Sequence, residues 1–292
     1  LSHFKFTGDI WAIPEGTVVF PQEPLITVRA PIIEAQILET MILMIINHQC
    51  LIATKSSRIV SSAKGRPVME FGARRAHSVD AAVFGARAAI IGGCVGTSCT
   101  YTAKEFDTVA SGTMAHSFIQ SFDSEYDAFK AYAEMYPDDC ILLIDTYDTI
   151  NSGIVNAIKV FNDILIPKGF RPKGVRLDSG DLAYLSKKVR KILDNAGFED
   201  CKICVSNSLD ENLISSLLEQ GAQIDSFGVG ENLITAKSDP VFGGVYKLCA
   251  LEKDGKIIPK IKISENITKI TNPGFKKVYR FYSKDTGKAL AD

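Results

Sequence analysis

The sequence predicts an α/β fold: an irregular barrel of the TIM type, with a smaller β-rich domain built from both chain ends. Between residues 31 and 240, about six strand-like runs alternate with helical runs, the pattern of a parallel sheet with helical crossovers. Nearly all of these strands end in polar residues or glycines. A barrel gathers such ends around one mouth, whereas an open sheet uses only those near a switch point, so the pattern favours a barrel.

Both ends of the chain have a different pattern. Residues 1–30 contain prolines between β-branched runs, and residues 241–292 contain strand-like runs with no helical run between them. We therefore expect the catalytic barrel over 31–240, and we expect 1–30 and 241–292 to share the β-rich domain.

The predicted elements follow in chain order. From Pro31 the apolar residues take helical spacing, and Ser124 and Pro137 are expected to start and end one of the later helices. Helices are predicted over 32–49, 79–93, 124–137, 153–169, 182–197 and 210–221. Strands are predicted over 67–72, 97–106, 108–113, 140–148, 174–181, 202–207, 225–232, 245–252, 256–264 and 276–283.

Composition excludes several classes of protein. The chain has 292 residues, is 46% hydrophobic and carries a formal net charge of −1. That charge argues against a general nucleic-acid binder, which should be distinctly basic. No run of about 18 apolar residues occurs, and no secretory signal is visible, so we expect neither a membrane span nor export.

The seven cysteines are odd in number and scattered, which is typical of reduced thiols in a cytoplasmic protein. The CKIC run (201–204) has the spacing of a zinc or redox motif, but no second pair lies nearby and the run fits a strand. We assign no metal ligand. Because the chain starts at Leu1 without an initiator methionine and stops just after a strand-like run, we expect a piece of a longer polypeptide.

Basic residues surround the predicted strand at 67–72. Arginine offers a two-point fork to phosphate or carboxylate, and interleaved Gly65, Pro67 and Gly72 favour a shaped pocket over a solvated basic face. Phe71 can present a flat face to an aromatic ring, or it can be a core residue. The basic candidates are Lys64, Arg66, Arg74, Arg75 and His77.

The VRLDSGD run (175–181) places Arg176, Asp178 and Ser179 at a strand end. A carboxylate in that position can accept hydrogen bonds from sugar hydroxyls. The alternative is that Ser179 or Asp181 only caps the following helix, a role that suits Asp181 better than Asp178.

Three further strand ends carry candidates. Asp145 and Asp148 end CILLIDTYD (140–148), where an aspartate can orient a histidine, help hold a metal–phosphate complex or simply start a turn. Ser206 and Asn207 end the strand predicted over 202–207. Gly228 and Gly230 lie in a loop late in the barrel, where glycine lets backbone amides approach a phosphate.

His116 lies in GTMAHSF (112–118) among small and hydroxyl-bearing residues, after an SGT turn that should bring it to the barrel mouth. A histidine there can be a general base, a nucleophile or a metal ligand. Metal binding is the weakest of these because no second histidine lies at motif spacing. Spacing does not decide between base and nucleophile.

Taken together, these motifs resemble the nicotinate phosphoribosyltransferase family. The resemblance is carried by GDIWAIPEGTVVFPQEPLITVRAPIIEAQILET, INHQCLIATKSSRI, GRPVMEFGARRAH, ASGTMAHSFIQSF, KGVRLDSGDL, VSNSLDE and FGVGENLITAKSDPVFGGVYKL. It implies an irregular α/β barrel that makes nicotinate mononucleotide from nicotinate and phosphoribosyl pyrophosphate with Mg²⁺. It also implies coupling to ATP hydrolysis through a phosphohistidine, in a homodimer.

The resemblance assigns a role to each candidate. His116 would be the phosphorylated histidine, oriented by Asp145, with Thr113 and Ser117 hydrogen-bonding to its phosphoryl group. The remaining roles are ring stacking by Phe71, phosphate binding by Arg74, carboxylate binding by Arg176, ribose binding by Asp178, and 5′-phosphate binding by Gly228 and Gly230. Ser179, Ser206 and Asn207 complete the substrate-binding set.

Two alternatives stay open. One is the nicotinamide-using relative, against which EFGARRAH and ASGTMAHSF argue. The other is a non-catalytic chain, because the family begins with a Thr-Asp-Leu-Tyr-type segment that is missing here and its C-terminal portion is cut short.

Overall fold

The computed structural model describes residues 3–265 and 270–292. It divides into two compact units, one made of residues 1–47 and 243–292 and the other of residues 48–242. Both chain ends therefore belong to the smaller unit. Residues 31–47 also fall in that unit, whereas the sequence placed them in the barrel; the exact domain boundaries stay a prediction.

The strands are short and lie in both units. In chain order they are β1 (Asp9–Ala12), β2 (Ile26–Arg29), β3 (Val68–Glu70), β4 (Gly96–Thr97), β5 (Ile141–Leu143), β6 (Gly174–Leu177), β7 (Lys202–Val205), β8 (Ser226–Val229), β9 (Ala250–Lys253), β10 (Lys256–Pro259), β11 (Phe281–Tyr282) and β12 (Ala289–Ala291).

The α-helices lie mainly between the strands of the larger unit. They are α1 (Ile32–Ile37), α2 (Glu39–Ser62), α3 (Val79–Ile91), α4 (Thr100–Glu105), α5 (His116–Gln120), α6 (Glu125–Met135), α7 (Ile154–Val160), α8 (Leu182–Asn195), α9 (Glu211–Glu219) and α10 (Glu231–Ile234). No helix in the described ranges is long and apolar enough to cross a membrane.

The larger unit is a partly closed parallel barrel, as predicted. Its six strands pair in the order β4-β3-β8-β7-β6-β5. Because β3, the first of them in the chain, pairs with β8, the last, the sheet follows chain order around a ring. The ring is open between β4 and β5, where a parallel bridge from Thr97 to Ala110 extends the β4 edge.

Apolar strands and helix faces fill the core between sheet and helices. Leu142, Val175, Ile203 and Phe227, from four neighbouring strands, are fully buried. Each such side chain contributes about 1.5–3 kcal/mol of transfer free energy to folding. The packed sheet therefore fixes the positions of the residues that follow its strands.

Local signals set several helix ends as predicted. Ser124 accepts a hydrogen bond from the Asp127 amide and caps α6. Asp181 accepts one from the Tyr184 amide and caps α8. Gly197 follows α8 with a φ of +80°, a conformation that glycine adopts without steric cost.

The predicted strand pair at 97–106 and 108–113 is wrong. Residues 100–105 form α4, and only Thr97 and Ala110 keep a parallel bridge. Thr102 and Ala103 are buried on one side of this helix, and the Thr102 hydroxyl donates to the Val83 carbonyl of α3. Packing against α3 thus overrides the β preference of the threonines.

Two helices differ from their predictions in length or in helix type. The helix expected over 32–49 is divided into α1 and α2 and continues to Ser62. The helix expected over 153–169 is α7 flanked by π-helical turns at Thr149–Gly153 and Phe161–Leu165, followed by a 3₁₀ turn. A Cβ atom on Gly153 would lie 1.8 Å from the Ile144 carbonyl oxygen, so this turn requires glycine.

In its described residues, the smaller unit contains three antiparallel strand pairs, β1–β2, β9–β10 and β11–β12. The β9–β10 hairpin turns through Asp254 and Gly255, which both have positive φ. This unit is β-rich, as predicted, although its strands are shorter than the runs 245–252, 256–264 and 276–283 suggested.

Candidate active site

The carboxyl ends of β5, β6 and β7 bring together five predicted site residues. Asp145 follows β5, Asp178 follows β6 and Ser206 follows β7, while Arg176 lies within β6. His116 reaches the same place from the beginning of α5. Neighbouring parallel strands end at the same edge of the sheet, which is why residues far apart in the chain meet here.

His116 lies between a hydroxyl and two carboxylates. Its side chain is 39% exposed, with Nε2 3.6 Å from Asp178 Oδ2 and 3.9 Å from Asp145 Oδ1. Nδ1 lies 3.1 Å from the Thr146 hydroxyl oxygen. Two carboxylates favour a proton on Nε2, so Nδ1 of the neutral ring is left to accept from Thr146.

Asp145 is almost completely buried, with 1% of its side chain exposed. Its Oδ2 accepts hydrogen bonds from the Asp178 amide at 2.8 Å and the Ser179 hydroxyl at 2.5 Å. Its Oδ1 has no hydrogen-bond partner among the residues that the structure describes. A buried carboxylate oxygen in that state is unfavourable unless a nearby donor compensates it, and Nε2 of His116 faces it at 3.9 Å.

The Arg176 guanidinium contacts three polar side chains. Its Nε donates to the Ser206 hydroxyl at 2.9 Å, and Nη1 donates to the Thr113 hydroxyl at 2.8 Å. Nη2 lies 3.4 Å from Asp178 Oδ1, which also accepts from Ser206 at 2.5 Å. These contacts fix the Arg176 guanidinium among polar side chains at the strand ends.

Phe71 lies beside this cation, with its ring centre 5.4 Å from the Arg176 guanidinium carbon. The ring packs against the backbone of Gly228, where an added Cβ atom would lie 2.4 Å from two ring carbons. The Phe71 amide also donates to the Val229 carbonyl. Close approach of this ring is therefore a second reason for glycine at position 228, besides the predicted phosphate contact.

Glu70 is a buried carboxylate that the sequence reasoning did not assign to the site. One of its oxygens accepts from the Gly72 amide, and the other accepts from the Thr97 hydroxyl at 2.6 Å. Burial is the largest effect on its pKa and raises it, against the lowering effect of these hydrogen bonds. Glu70 thus ties the turn that carries Phe71 to the end of β4. Only its position at the end of a predicted strand hinted at this.

The prediction that the basic residues around 67–72 form one cluster is wrong. Lys64 and Arg66 precede β3 and so belong to the amino end of the strand, where Arg66 donates to the Ile224 carbonyl. Arg74 and Arg75 lie on an exposed 3₁₀ turn beyond the carboxyl end, and His77 follows it. Spacing along the chain concealed that a strand separates the two sets.

Two aspartates in the candidate motifs act as helix caps. Asp181 caps α8, as expected, and Asp148 accepts from the amides of Ile150 and Asn151. The hydrogen bonds from Asn151 lower the pKa of Asp148. Asp148 is exposed and does not contact His116, so of the two aspartates that end the predicted strand only Asp145 joins the cluster.

The remaining predicted residues lie near the strand ends. Asn207 and Ser208 follow β7 with φ values of +95° and +51°, a backbone conformation that non-glycine residues seldom adopt and that is common at functional sites. Gly230 precedes α10. Ser117 is the second residue of α5 and is exposed.

Residues 67–284 match the model of the Nicotinate phosphoribosyltransferase (NAPRTase) family, and residues 1–47 match its N-terminal domain. The nicotinate phosphoribosyltransferase of Bacillus subtilis is 51% identical over 97% of this chain and 57% of its own length. The chain belongs to the nicotinate phosphoribosyltransferase family.

Other members of the family agree with this assignment. The nicotinate phosphoribosyltransferase pncB2 of Mycobacterium tuberculosis is 46% identical over 96% of the chain and 58% of its own length. The crystal structure of human nicotinic acid phosphoribosyltransferase superimposes with a TM-score of 0.80 at 27% identity, over 96% of this chain and 62% of that one. The chain thus spans somewhat more than half the length of the curated relatives it matches.

Proposed function

We propose that the protein containing this chain transfers the phosphoribosyl group of phosphoribosyl pyrophosphate to nicotinate, giving nicotinate mononucleotide and pyrophosphate for NAD biosynthesis. The observation that carries the proposal is the cluster of His116, Asp145, Asp178 and Arg176 at the strand carboxyl ends of a family member. Asp145, Asp178 and Arg176 supply charges that this reaction needs, and His116 supplies a ring nitrogen.

Nicotinate has an aromatic ring and a carboxylate, and the site contains a counterpart for each. The Phe71 ring offers a flat face, and the Arg176 guanidinium beside it offers positive charge within the same small volume. Arginine binds planar carboxylates through paired N–H groups. The acid form of the pyridine is therefore the substrate that the local charge favours.

In the transfer step, the pyridine nitrogen attacks the anomeric carbon while the bond from that carbon to the pyrophosphate oxygen breaks. Positive charge develops on the sugar ring, as in other glycosyl transfers. Asp178, whose Oδ2 faces the site, stabilises that charge and binds the ribose hydroxyls. Arg74, on the exposed turn beyond β3, binds phosphate. The amides of Gly228 and Gly230 bind the 5′-phosphate, and Ser179, Ser206 and Asn207 complete the substrate contacts.

We further propose that His116 takes the γ-phosphoryl group of ATP. A nitrogen–phosphorus bond forms, the bond to ADP breaks, and water later releases phosphate. With Nε2–H directed at Asp145 and Asp178, Nδ1 carries the lone pair that attacks once the Thr146 hydroxyl has released it. Ser117, next to His116, can hydrogen-bond to the phosphoryl group. Phosphorylation adds negative charge beside the site and so couples ATP cleavage to substrate binding.

Mg²⁺ enters this scheme with the substrate phosphates. No three His, Cys, Asp or Glu side chains stand together as a metal site in the part of the chain that the structure describes. An ion held by phosphates and water needs only one or two carboxylates, and the unpartnered Asp145 Oδ1 and nearby Asp178 Oδ2 fit that need. Bound there, the ion would neutralise charge on the leaving pyrophosphate. A cytoplasmic homodimer is the assembly that family membership suggests.

The proposal is tested with the full-length protein, nicotinate, ATP, Mg²⁺ and phosphoribosyl pyrophosphate. We expect nicotinate mononucleotide, detected by chromatography, with nicotinamide as a much poorer substrate in parallel reactions. Equal or better use of nicotinamide would move the protein to the nicotinamide-using branch. No product, together with no Mg²⁺-dependent binding of phosphoribosyl pyrophosphate, would identify a non-catalytic chain and overturn the proposal.

A further inference from the structure

The Arg176 guanidinium has a restricted set of free donors. Arginine carries five N–H groups in one plane. The Nε–H is directed at Ser206, one Nη1–H at Thr113 and one Nη2–H towards Asp178. Within the described part of the chain, this leaves one N–H on each terminal nitrogen for a ligand. Two such donors are the number that a planar carboxylate accepts.

The two hydroxyls around Arg176 are both oriented as acceptors. Ser206 donates its own proton to Asp178 Oδ1, so its oxygen is free to accept from Nε. Thr113 donates to the Met114 carbonyl at 3.3 Å and accepts from Nη1. Because a hydroxyl has a single proton, these donations fix the direction of both hydrogen bonds to the cation.

We propose that Thr113 is a positioning residue that determines specificity: through Arg176 it aims the free pair of N–H groups at the carboxylate of nicotinate and so favours the acid over the amide. The inference rests on the proposed function. Nicotinamide offers one acceptor and one NH₂ group, and the latter would meet an arginine N–H. A site built for two acceptors rejects such an analogue strongly.

Thr113 thereby has a different task from the one suggested by the resemblance, in which its hydroxyl contacts a phosphoryl group on His116. The two tasks predict different losses. A positioning role weakens nicotinate binding and leaves phosphorylation of His116 intact. A phosphoryl contact weakens phosphorylation and leaves nicotinate binding intact.

The test compares Thr113→Val, which keeps the shape of the side chain but removes the acceptor, with Thr113→Ser, which keeps the hydroxyl. Thr235→Val is the matched control, because among the described residues the Thr235 hydroxyl bonds only to the Glu231 carbonyl, one helical turn before it. For each variant of the full-length protein we would measure KM and kcat for nicotinate, inhibition by nicotinamide, phosphohistidine formation from ATP, and the thermal unfolding midpoint.

For Thr113→Val we expect a rise of about 10-fold in KM for nicotinate, the size of effect of losing one hydrogen bond to a charged group. Nicotinamide inhibition, phosphohistidine formation and the unfolding midpoint should change little. Thr113→Ser should restore most of the nicotinate affinity, and Thr235→Val should match wild type.

Equal losses for nicotinate and nicotinamide, or loss of phosphohistidine at unchanged nicotinate KM, would overturn the inference. Direct binding of nicotinate to wild type and Thr113→Val separates this failure from failure of the proposed function. If wild type binds nicotinate without turning it over, the proposed function fails while the affinity ratio still decides the role of Thr113. If wild type binds no nicotinate, both fail.

Discussion

Asp145 and Glu70 are both buried carboxylates at strand ends of the same barrel, yet their surroundings differ. Both Glu70 oxygens accept hydrogen bonds, one from a backbone amide and one from the Thr97 hydroxyl. Asp145 has one oxygen held in the same way, while the other faces His116 and has no hydrogen-bond partner in the described ranges. A buried carboxylate whose two oxygens both accept hydrogen bonds is suited to a structural role. One that keeps an oxygen without a hydrogen bond beside a histidine ring is suited to a catalytic role.

Of the substitutions that test this comparison, Asp145→Asn is expected to have the largest effect on catalysis. The asparagine oxygen can still accept from the Asp178 amide and the Ser179 hydroxyl, so the fold should survive. Loss of the charge that faces Nε2 should slow phosphohistidine formation about 100-fold, within the usual range for a group that supports acid–base or nucleophilic catalysis. Labelling kinetics with ATP check this.

Asp148→Asn is the control for that substitution, because Asp148 caps a helical turn from an exposed position and asparagine is an equally good cap. It should label at the wild-type rate. If both variants lose the same activity, Asp145 has no special role and the contrast with Glu70 disappears.

A second contrast concerns the turn that Glu70 braces. Gly228→Ala would place a Cβ atom 2.4 Å from the Phe71 ring, which must then move. We expect KM for nicotinate to rise by up to about 10-fold, since one stacking contact of an aromatic ring is worth about 0.5–1.5 kcal/mol. Phosphohistidine formation should be unchanged, because Phe71 is not among the groups around His116.

Steady-state kinetics on Gly228→Ala are compared with those on Gly243→Ala, where an added Cβ atom meets nothing within 4 Å. Unchanged KM in Gly228→Ala would show that the ring position does not matter for substrate binding. An equal rise in both variants would point to a general effect of alanine on the backbone.

Glu70→Gln should have the smallest effect on catalysis, a few-fold at most, and act mainly on stability. Burial raises the pKa of Glu70 in the folded state, so the folded protein binds this proton more tightly than the unfolded chain does. The unfolding free energy contributed by Glu70 therefore falls as pH rises from the ordinary carboxyl value of about 4.5 towards the raised folded value.

Glutamine has no such titration. Denaturant unfolding at about pH 5 and about pH 8 should show wild type losing stability relative to Glu70→Gln at the higher pH. A stability difference that is the same at both pH values would contradict the raised pKa. A large loss of phosphohistidine in Glu70→Gln would make this residue part of the reacting group and not a brace.

Much of the fold was predictable because its signals are local. Ser124 and Asp181 cap helices three residues before the amides they bind, and alternating strands and helices indicate a parallel barrel. The segment from 97 to 113 was mispredicted because its threonines favour a strand locally, whereas packing of Thr102 against α3 makes a helix.

Site contacts were less predictable because they join distant parts of the chain. Asp145, Asp178 and His116 were expected at the mouth from strand order, but the link from Thr113 to Arg176 spans 63 positions and depends on how the strands close. The opposite error was made for Lys64 and Arg66. They are near Arg74 in the sequence and were therefore expected beside it, but β3 lies between them. Thr146, the hydroxyl beside Nδ1 of His116, carried no signal beyond its place after a strand.

The central claim is that the cluster at the ends of β5, β6 and β7 works through a phosphorylated His116. It is tested most directly by incubating wild type and His116→Ala full-length protein with ATP labelled in the γ-phosphate and measuring acid-labile label on the protein. We expect label on wild type and none on His116→Ala, with nicotinate binding largely retained. Equal labelling of both proteins would contradict it.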